Sequence, residues 1–279
     1  MEPLQQRLNS AKNYLEKSIG KSAIRIGLIL GSGLGEISEM IENPITFFSG
    51  EVPYFPSPTV SGHEGKLVFG MIGPVSIIAV KGRVHYYEGY PMSEVTFSTR
   101  LAAMMGIKIL IVTNASGGIN PEFKTGDLIL ITDHINLFFK NPLVEPMTDR
   151  WNFRYLQNGF YDAGLGCIAE DSALQLGIRL KRGVLVGSPG PSYETSAEIQ
   201  MIRHLGADCV SMSMVPEVII ARQMGIRVVG ISCITNLATG IGREPLSHRD
   251  VTAVATTVKD PFVKLLSTII SQIPNEVKN

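Results

Sequence analysis

The sequence predicts an α/β fold, a single three-layer α/β/α domain over residues 1–279 built on a central mixed β-sheet. Two observations carry that expectation. Short apolar runs, mostly rich in Ile and Val, recur at 24–30, 66–72, 75–80, 107–113, 128–132, 183–187 and 226–232. Such runs mark buried strands, and the stretches between them carry turn residues or helical periodicity, so strands and helices alternate in layers. Composition agrees: 44% hydrophobic residues support a large core, and 18% charged residues is low, as a largely buried chain requires.

The helices can be justified in order. Leu4, Leu8, Tyr14, Leu15 and Ile19 recur at near-helical spacing, which predicts a helix over 3–19. Residues 91–105 form a second, ended by Gly106. Thr195-Ser-Ala-Glu198 has the spacing of a capping box, with Ile199, Ile202 and Leu205 following on one face. Pro216 to Met224 places proline in the first turn and Gly225 just past the end. A closing helix from about 248 to 272 is expected to bend at Pro261, which has no N–H to donate. Residues 141–166, with their Pro, Asn, Trp and Gly, read as a long surface loop.

Several functions are excluded by totals. Lys and Arg number 25, as do Asp and Glu, so no global field draws nucleic acid or an anionic membrane. Cys167, Cys209 and Cys233 are odd in number and lack CxxC spacing, which argues against a disulfide scaffold or a metal site and fits a reducing compartment. No run approaches the roughly 18 apolar residues of a membrane span, and Met1-Glu-Pro-Leu-Gln-Gln-Arg7 is not a secretory signal. The expectation is a soluble, cytoplasmic protein.

Chemistry concentrates at the ends of the apolar runs. Gly82-Arg-Val-His-Tyr-Tyr-Glu-Gly-Tyr90 follows a strand and sets Arg83, His85 and Tyr87 two apart, on one side if the extension continues. An arginine fork, an imidazole and a phenol suit an oxyanion beside a sugar, though a solvated hairpin tip has the same pattern. Gly31-Ser-Gly-Leu-Gly35 lets backbone approach an anion; Glu36 breaks the dinucleotide fingerprint, and no P-loop lysine follows. Asn114-Ala-Ser-Gly-Gly118 allows the same approach or is a plain turn. Glu194, after Tyr193, either complements a helix dipole or accepts hydrogen bonds from a ring N–H. Ser213, ahead of the 216–224 helix, is an N-cap or an anion ligand. Asn236 ends a strand with an amide.

Together the GSGLG, GRVHYYEGY, NASGG, GPSYET and MSMVPEV runs, with ITN at 234–236, closely resemble the trimeric branch of the purine nucleoside phosphorylase family, in order from about residue 24 to 250. The resemblance implies reversible phosphorolysis of inosine and guanosine, with inorganic phosphate as co-substrate, no cofactor, no metal and a homotrimer. By matching motifs it assigns phosphate to Ser32, His63, Arg83, His85, the Ala115 amide and Ser213. Tyr87, Met212 and His248 would meet the ribose, and Tyr193, Glu194 and Asn236 the base, with Asn236, His85 and Glu194 carrying the catalysis. Two departures stand out. Ser211 and Met214 replace a frequent Gly and Thr, and only Tyr161-Asp162 survives of a Met-Ser-x-Ala-Tyr-Asp run. Phe153, Tyr155 and Phe160 are therefore alternative donors of an aromatic ring to a neighbouring subunit. The alternative activity, 5′-methylthioadenosine phosphorylase, would favour Asp at position 236 and an apolar group in place of His248. A serine hydrolase would need G-x-S-x-G, which does not occur.

Overall fold

The computed structural model describes residues 2–20, 24–31, 35–60, 63–144, 159–242 and 248–274. Strands β1 (Ile26–Leu30), β2 (Glu42–Phe48), β3 (Lys66–Ile72), β4 (Val75–Lys81), β5 (Ile109–Gly118), β6 (Leu128–Asn136), β7 (Leu180–Gly187), β8 (Cys209–Ser211) and β9 (Arg227–Leu237) form one mixed sheet. Its order is β2-β3-β4-β1-β5-β8-β7-β6-β9, and β5 also pairs with β9. The last five strands thus close on themselves, a ring that the alternation of apolar runs does not disclose. The long β5 makes closure possible, pairing in parallel with β1 and β9 while its final glycines, Gly117 and Gly118, pair antiparallel with β8.

The layers follow from period-two alternation along the central strands. Ile29, Leu110 and Val112 face a core shared with α1 (Leu4–Ile19), α2 (Met92–Val95), α3 (Phe97–Met104) and α6 (Val215–Gln223). Ile26, Leu28, Leu30, Ile109 and Ile111 face the opposite core, closed by α4 (Ala163–Gln175), α7 (His248–Thr257) and α8 (Lys259–Gln272). Helix α5 (Ser196–His204) seals a smaller cluster through Ile199 and Ile202. No described helix is long and apolar enough to cross a membrane.

Several expectations are corrected. Strand β2 carries Pro44 and is mostly exposed, so it lacks the apolar run of a buried strand; its register slips between Glu42 and Ile45, as proline on a sheet edge allows. Strand β8 is too short to read from sequence. Asn114–Gly118 is not a turn but the extension of β5. The 91–105 helix is broken at Thr96, whose hydroxyl bonds back to the Met92 carbonyl at 2.7 Å. The last helix breaks at Val258 rather than at Pro261, because restarting at Lys259 places the proline in a first turn, where no N–H is needed. Residues 163–166 are helical: Asp162 caps α4 by accepting from the Leu165 N–H at 2.9 Å and holds Arg227 through two bonds of 2.7 and 2.8 Å. The capping box at Thr195 stands as expected, with bonds of 2.7 and 3.2 Å to Glu198.

Candidate active site

Six ends of sheet and helix elements deliver side chains to one cleft. Gly31 follows β1, and Arg83, His85 and Tyr87 follow β4. Ala115, Ser116 and Gly117 come from the tail of β5, and Thr235 and Asn236 from that of β9. Tyr193 and Glu194 precede α5, while Ser211, Met212 and Ser213 connect to α6. Crossing strand order with parallel neighbours makes this convergence possible, since the carboxyl ends of β1, β4, β5 and β9 lie side by side. Nine sequence-predicted site residues therefore share one lining: Arg83, His85, Tyr87, Ala115, Tyr193, Glu194, Met212, Ser213 and Asn236.

Three do not. Ser32 lies outside the described residues, and His248 opens α7 without a described side chain. His63 stands just behind the lining, its ring 5.1 Å from that of His85 and its Nδ1 2.9 Å from the Arg83 carbonyl oxygen. Burial pushes the His63 imidazole down to about 4, so it is neutral at pH 7. Phe153 and Tyr155 also lie outside the described residues, whereas Phe160 packs on His134 at 4.7 Å between ring centres.

The chain does not run extended through Tyr87, as two-residue spacing suggested. It turns into a short 3₁₀ helix at Tyr86–Glu88, and the turn stacks Tyr87 on His85 at 4.8 Å with planes 12° apart. Burial raises the Tyr87 phenol to about 12, which keeps it a hydrogen-bond donor at neutral pH. Glu88 holds the arrangement. Its Oε1 accepts from the His85 backbone N–H at 2.6 Å and lies 3.1 Å from His85 Nδ1; its Oε2 accepts from the Thr59 N–H and hydroxyl at 2.5 and 2.7 Å. Burial alone would raise this carboxyl, but the bonds from His85 and Thr59 outweigh it and bring it down to about 2. A ring fixed through Nδ1 presents Nε2 as the nitrogen that can meet a ligand.

Arg83 is buried with Glu217 behind it. Nη1 donates to Glu217 Oε1 at 2.9 Å, and Nη2 donates to the carbonyls of Ile29 and Thr113. Burial pulls the guanidinium below its ordinary value, and Glu217 opposes that pull. Glu217 sits in the first turn of α6, where a carboxylate also complements the helix dipole. Ser213 is not the N-cap of that helix. Met214 holds the position with a φ of 73°, a strained turn for a side chain of its size, and Ser213 Oγ instead lies 3.3 Å from Ser211 Oγ. At the base-reading candidates, Glu194 Oε1 accepts from the Ser188 hydroxyl at 2.6 Å, and Asn236 Oδ1 accepts from the Thr235 hydroxyl at 3.1 Å.

Glu88, Glu217 and Ser188 contact candidate site residues, and Thr59 contacts Glu88, none of which sequence reasoning singled out. Glu88 could have been found, since it stands three residues after His85 in the motif already singled out. Nothing in the sequence ties Glu217 to Arg83 across 134 positions. Chemically, the cleft combines a fixed cation, an oriented imidazole and hydroxyls suited to an oxyanion with a carboxylate and an amide suited to a polar heterocycle.

The phosphorylase superfamily model matches residues 25–271, and the chain belongs to that superfamily. Among its relatives, purine nucleoside phosphorylase 1 of Bacillus subtilis (strain 168) is 46% identical over 270 residues, covering 96% of this chain and 99% of that one. The purine nucleoside phosphorylase of Rattus norvegicus is 40% identical over 266 residues, with 92% of each chain covered. A Schistosoma mansoni purine nucleoside phosphorylase solved with adenosine superposes with a TM-score of 0.90 at 33% identity, covering 97% of this chain and 98% of that one. A Schistosoma mansoni purine nucleoside phosphorylase solved with inosine gives a TM-score of 0.90 at 32% identity and the same coverage.

Proposed function

We propose that the protein is a purine nucleoside phosphorylase, cleaving inosine and guanosine with inorganic phosphate to give free base and ribose 1-phosphate. One observation carries the reading: oxyanion-type groups (Arg83, His85, Ser213) and base-reading groups (Glu194, Asn236) line the same cleft. The names and bound nucleosides of the relatives support it.

Breaking the C1′–N9 bond passes through an oxocarbenium-like state, so negative charge beside C1′ is what the site must supply. A phosphate held by Arg83, His85, Ser213 and the Ala115 amide, with Ser32 and His63 closing on it, supplies both that field and the attacking oxygen. A new C1′–O bond forms as the C1′–N9 pair leaves with the purine. No protein nucleophile and no cofactor is required. Tyr87, Met212 and His248 orient the sugar, and Tyr193 covers the base. Electron density gathers at N7 and O6 of the leaving purine, where Asn236 donates and gains strength in the transition state. The working form in this account is a cytoplasmic homotrimer.

Selectivity follows from donor and acceptor logic. Hypoxanthine and guanine carry N1–H, which Glu194 accepts; adenine presents a bare N1 lone pair to the same carboxylate. Unpaired polar groups of this kind cost several orders of magnitude in turnover. The S. mansoni neighbours are solved with adenosine as well as inosine, so turnover rather than occupancy is the quantity to compare. Parallel assays of inosine, guanosine, adenosine and methylthioadenosine with excess phosphate should give rapid turnover only of the first two. Equal rates on adenosine would remove the roles given to Glu194 and Asn236.

A further inference from the structure

We infer that Ser188 is a positioning residue that sets the ranking of guanosine against inosine by acting on Glu194. The inference rests on the reading of Glu194 as the base-recognising carboxylate. Ser188 follows β7 and is buried, with 7% of its surface exposed. Its backbone N–H donates to the Ser211 carbonyl at 2.9 Å, which fixes the residue against the connection that carries Met212 and Ser213. Its hydroxyl donates to Glu194 Oε1 at 2.6 Å, a short bond to a charged acceptor. Ser188 does not line the cleft while Glu194 does, so the hydroxyl reaches the carboxylate from the protein side.

The consequence lies in how many good acceptors Glu194 still offers. Hypoxanthine presents one donor on the relevant edge, N1–H, and one free oxygen satisfies it. Guanine presents two side by side, N1–H and the 2-amino group, which a carboxylate meets best with both oxygens at once. With Oε1 already accepting from Ser188, Oε2 is the stronger remaining acceptor, and the second guanine donor must share an oxygen in use. Ser188 therefore aims the carboxylate for both substrates but reduces what the 2-amino group gains. It acts through Glu194 and touches no reacting atom.

The test is the ratio of kcat/KM for guanosine to that for inosine in Ser188→Ala, measured on one preparation so that any inactive fraction cancels. The ratio is expected to rise roughly three- to tenfold, the scale of one improved hydrogen bond to a charged group, with KM for phosphate unchanged. Ser188→Thr, which keeps the hydroxyl, should keep the native ratio. A ratio in Ser188→Ala that stays at the native value, or falls, overturns the inference. Glu194→Ala separates the two levels. A steep loss on both nucleosides upholds the role of Glu194 whatever Ser188 does. Native activity in Glu194→Ala would overturn that role and the inference with it.

Discussion

Glu217→Ala is expected to destabilise the protein by about 3–5 kcal/mol, the scale for stranding one partner of a buried ion pair. The side chains of Arg83 and Glu217 are only 2% and 1% exposed. Without the carboxylate, the guanidinium stays buried with the carbonyls of Ile29 and Thr113 as its remaining acceptors. Only its cleft edge is open to water, and a guanidinium does not neutralise itself by losing a proton. Glu217→Gln should lose much less, since its amide oxygen can accept from Nη1 in place of Oε1. Urea unfolding midpoints of the two variants beside the native chain make the comparison. If the Ala variant unfolds at the native midpoint, the pair is not the anchor described here. On the phosphate-holding role proposed for Arg83, a guanidinium released from Glu217 no longer faces the cleft at a fixed angle, and KM for phosphate should rise in whatever Ala variant remains folded.

The second large effect is on the chemical step. Asn236→Ala should lower kcat by roughly one to three orders of magnitude, the range for removing a donor that strengthens as charge develops. Its amide sits at the end of β9 with Oδ1 accepting from the Thr235 hydroxyl and Nδ2 donating to the Leu237 carbonyl at 3.2 Å, which fixes which end of the amide is the donor. On the role proposed for Asn236, a bond to the leaving base that forms fully only in the transition state, KM for inosine should change far less than kcat. A variant that loses affinity but keeps kcat would place Asn236 in simple substrate binding.

The sequence made the strands of the central sheet legible where a largely buried stretch leaves an apolar run, mostly rich in Ile and Val. Elements lacking that signature stayed hidden: β2 is an exposed edge with a proline, and β8 has three residues. Closure of β5 with β9 was also invisible, since pairing is a long-range property that a local pattern does not encode. For the site, short motifs at strand ends were enough to bring nine residues to one cleft. What they could not supply was the supporting layer. Glu217 and Ser188 make contacts set by the fold, the first to Arg83 across 134 positions and the second to Glu194 across the turn leading to it. Met214 bears on a choice the sequence left open, Ser213 as helix cap or anion ligand: the chain takes a strained turn one residue later, Met214 holds the cap position, and Ser213 lies on the cleft.

Hypoxanthine release from inosine, followed with and without inorganic phosphate, tests the whole account most directly. The account predicts that release accelerates with phosphate and that one ribose 1-phosphate appears for each base freed. Release at an unchanged rate when phosphate is withheld, with free ribose as the sugar product, would contradict it.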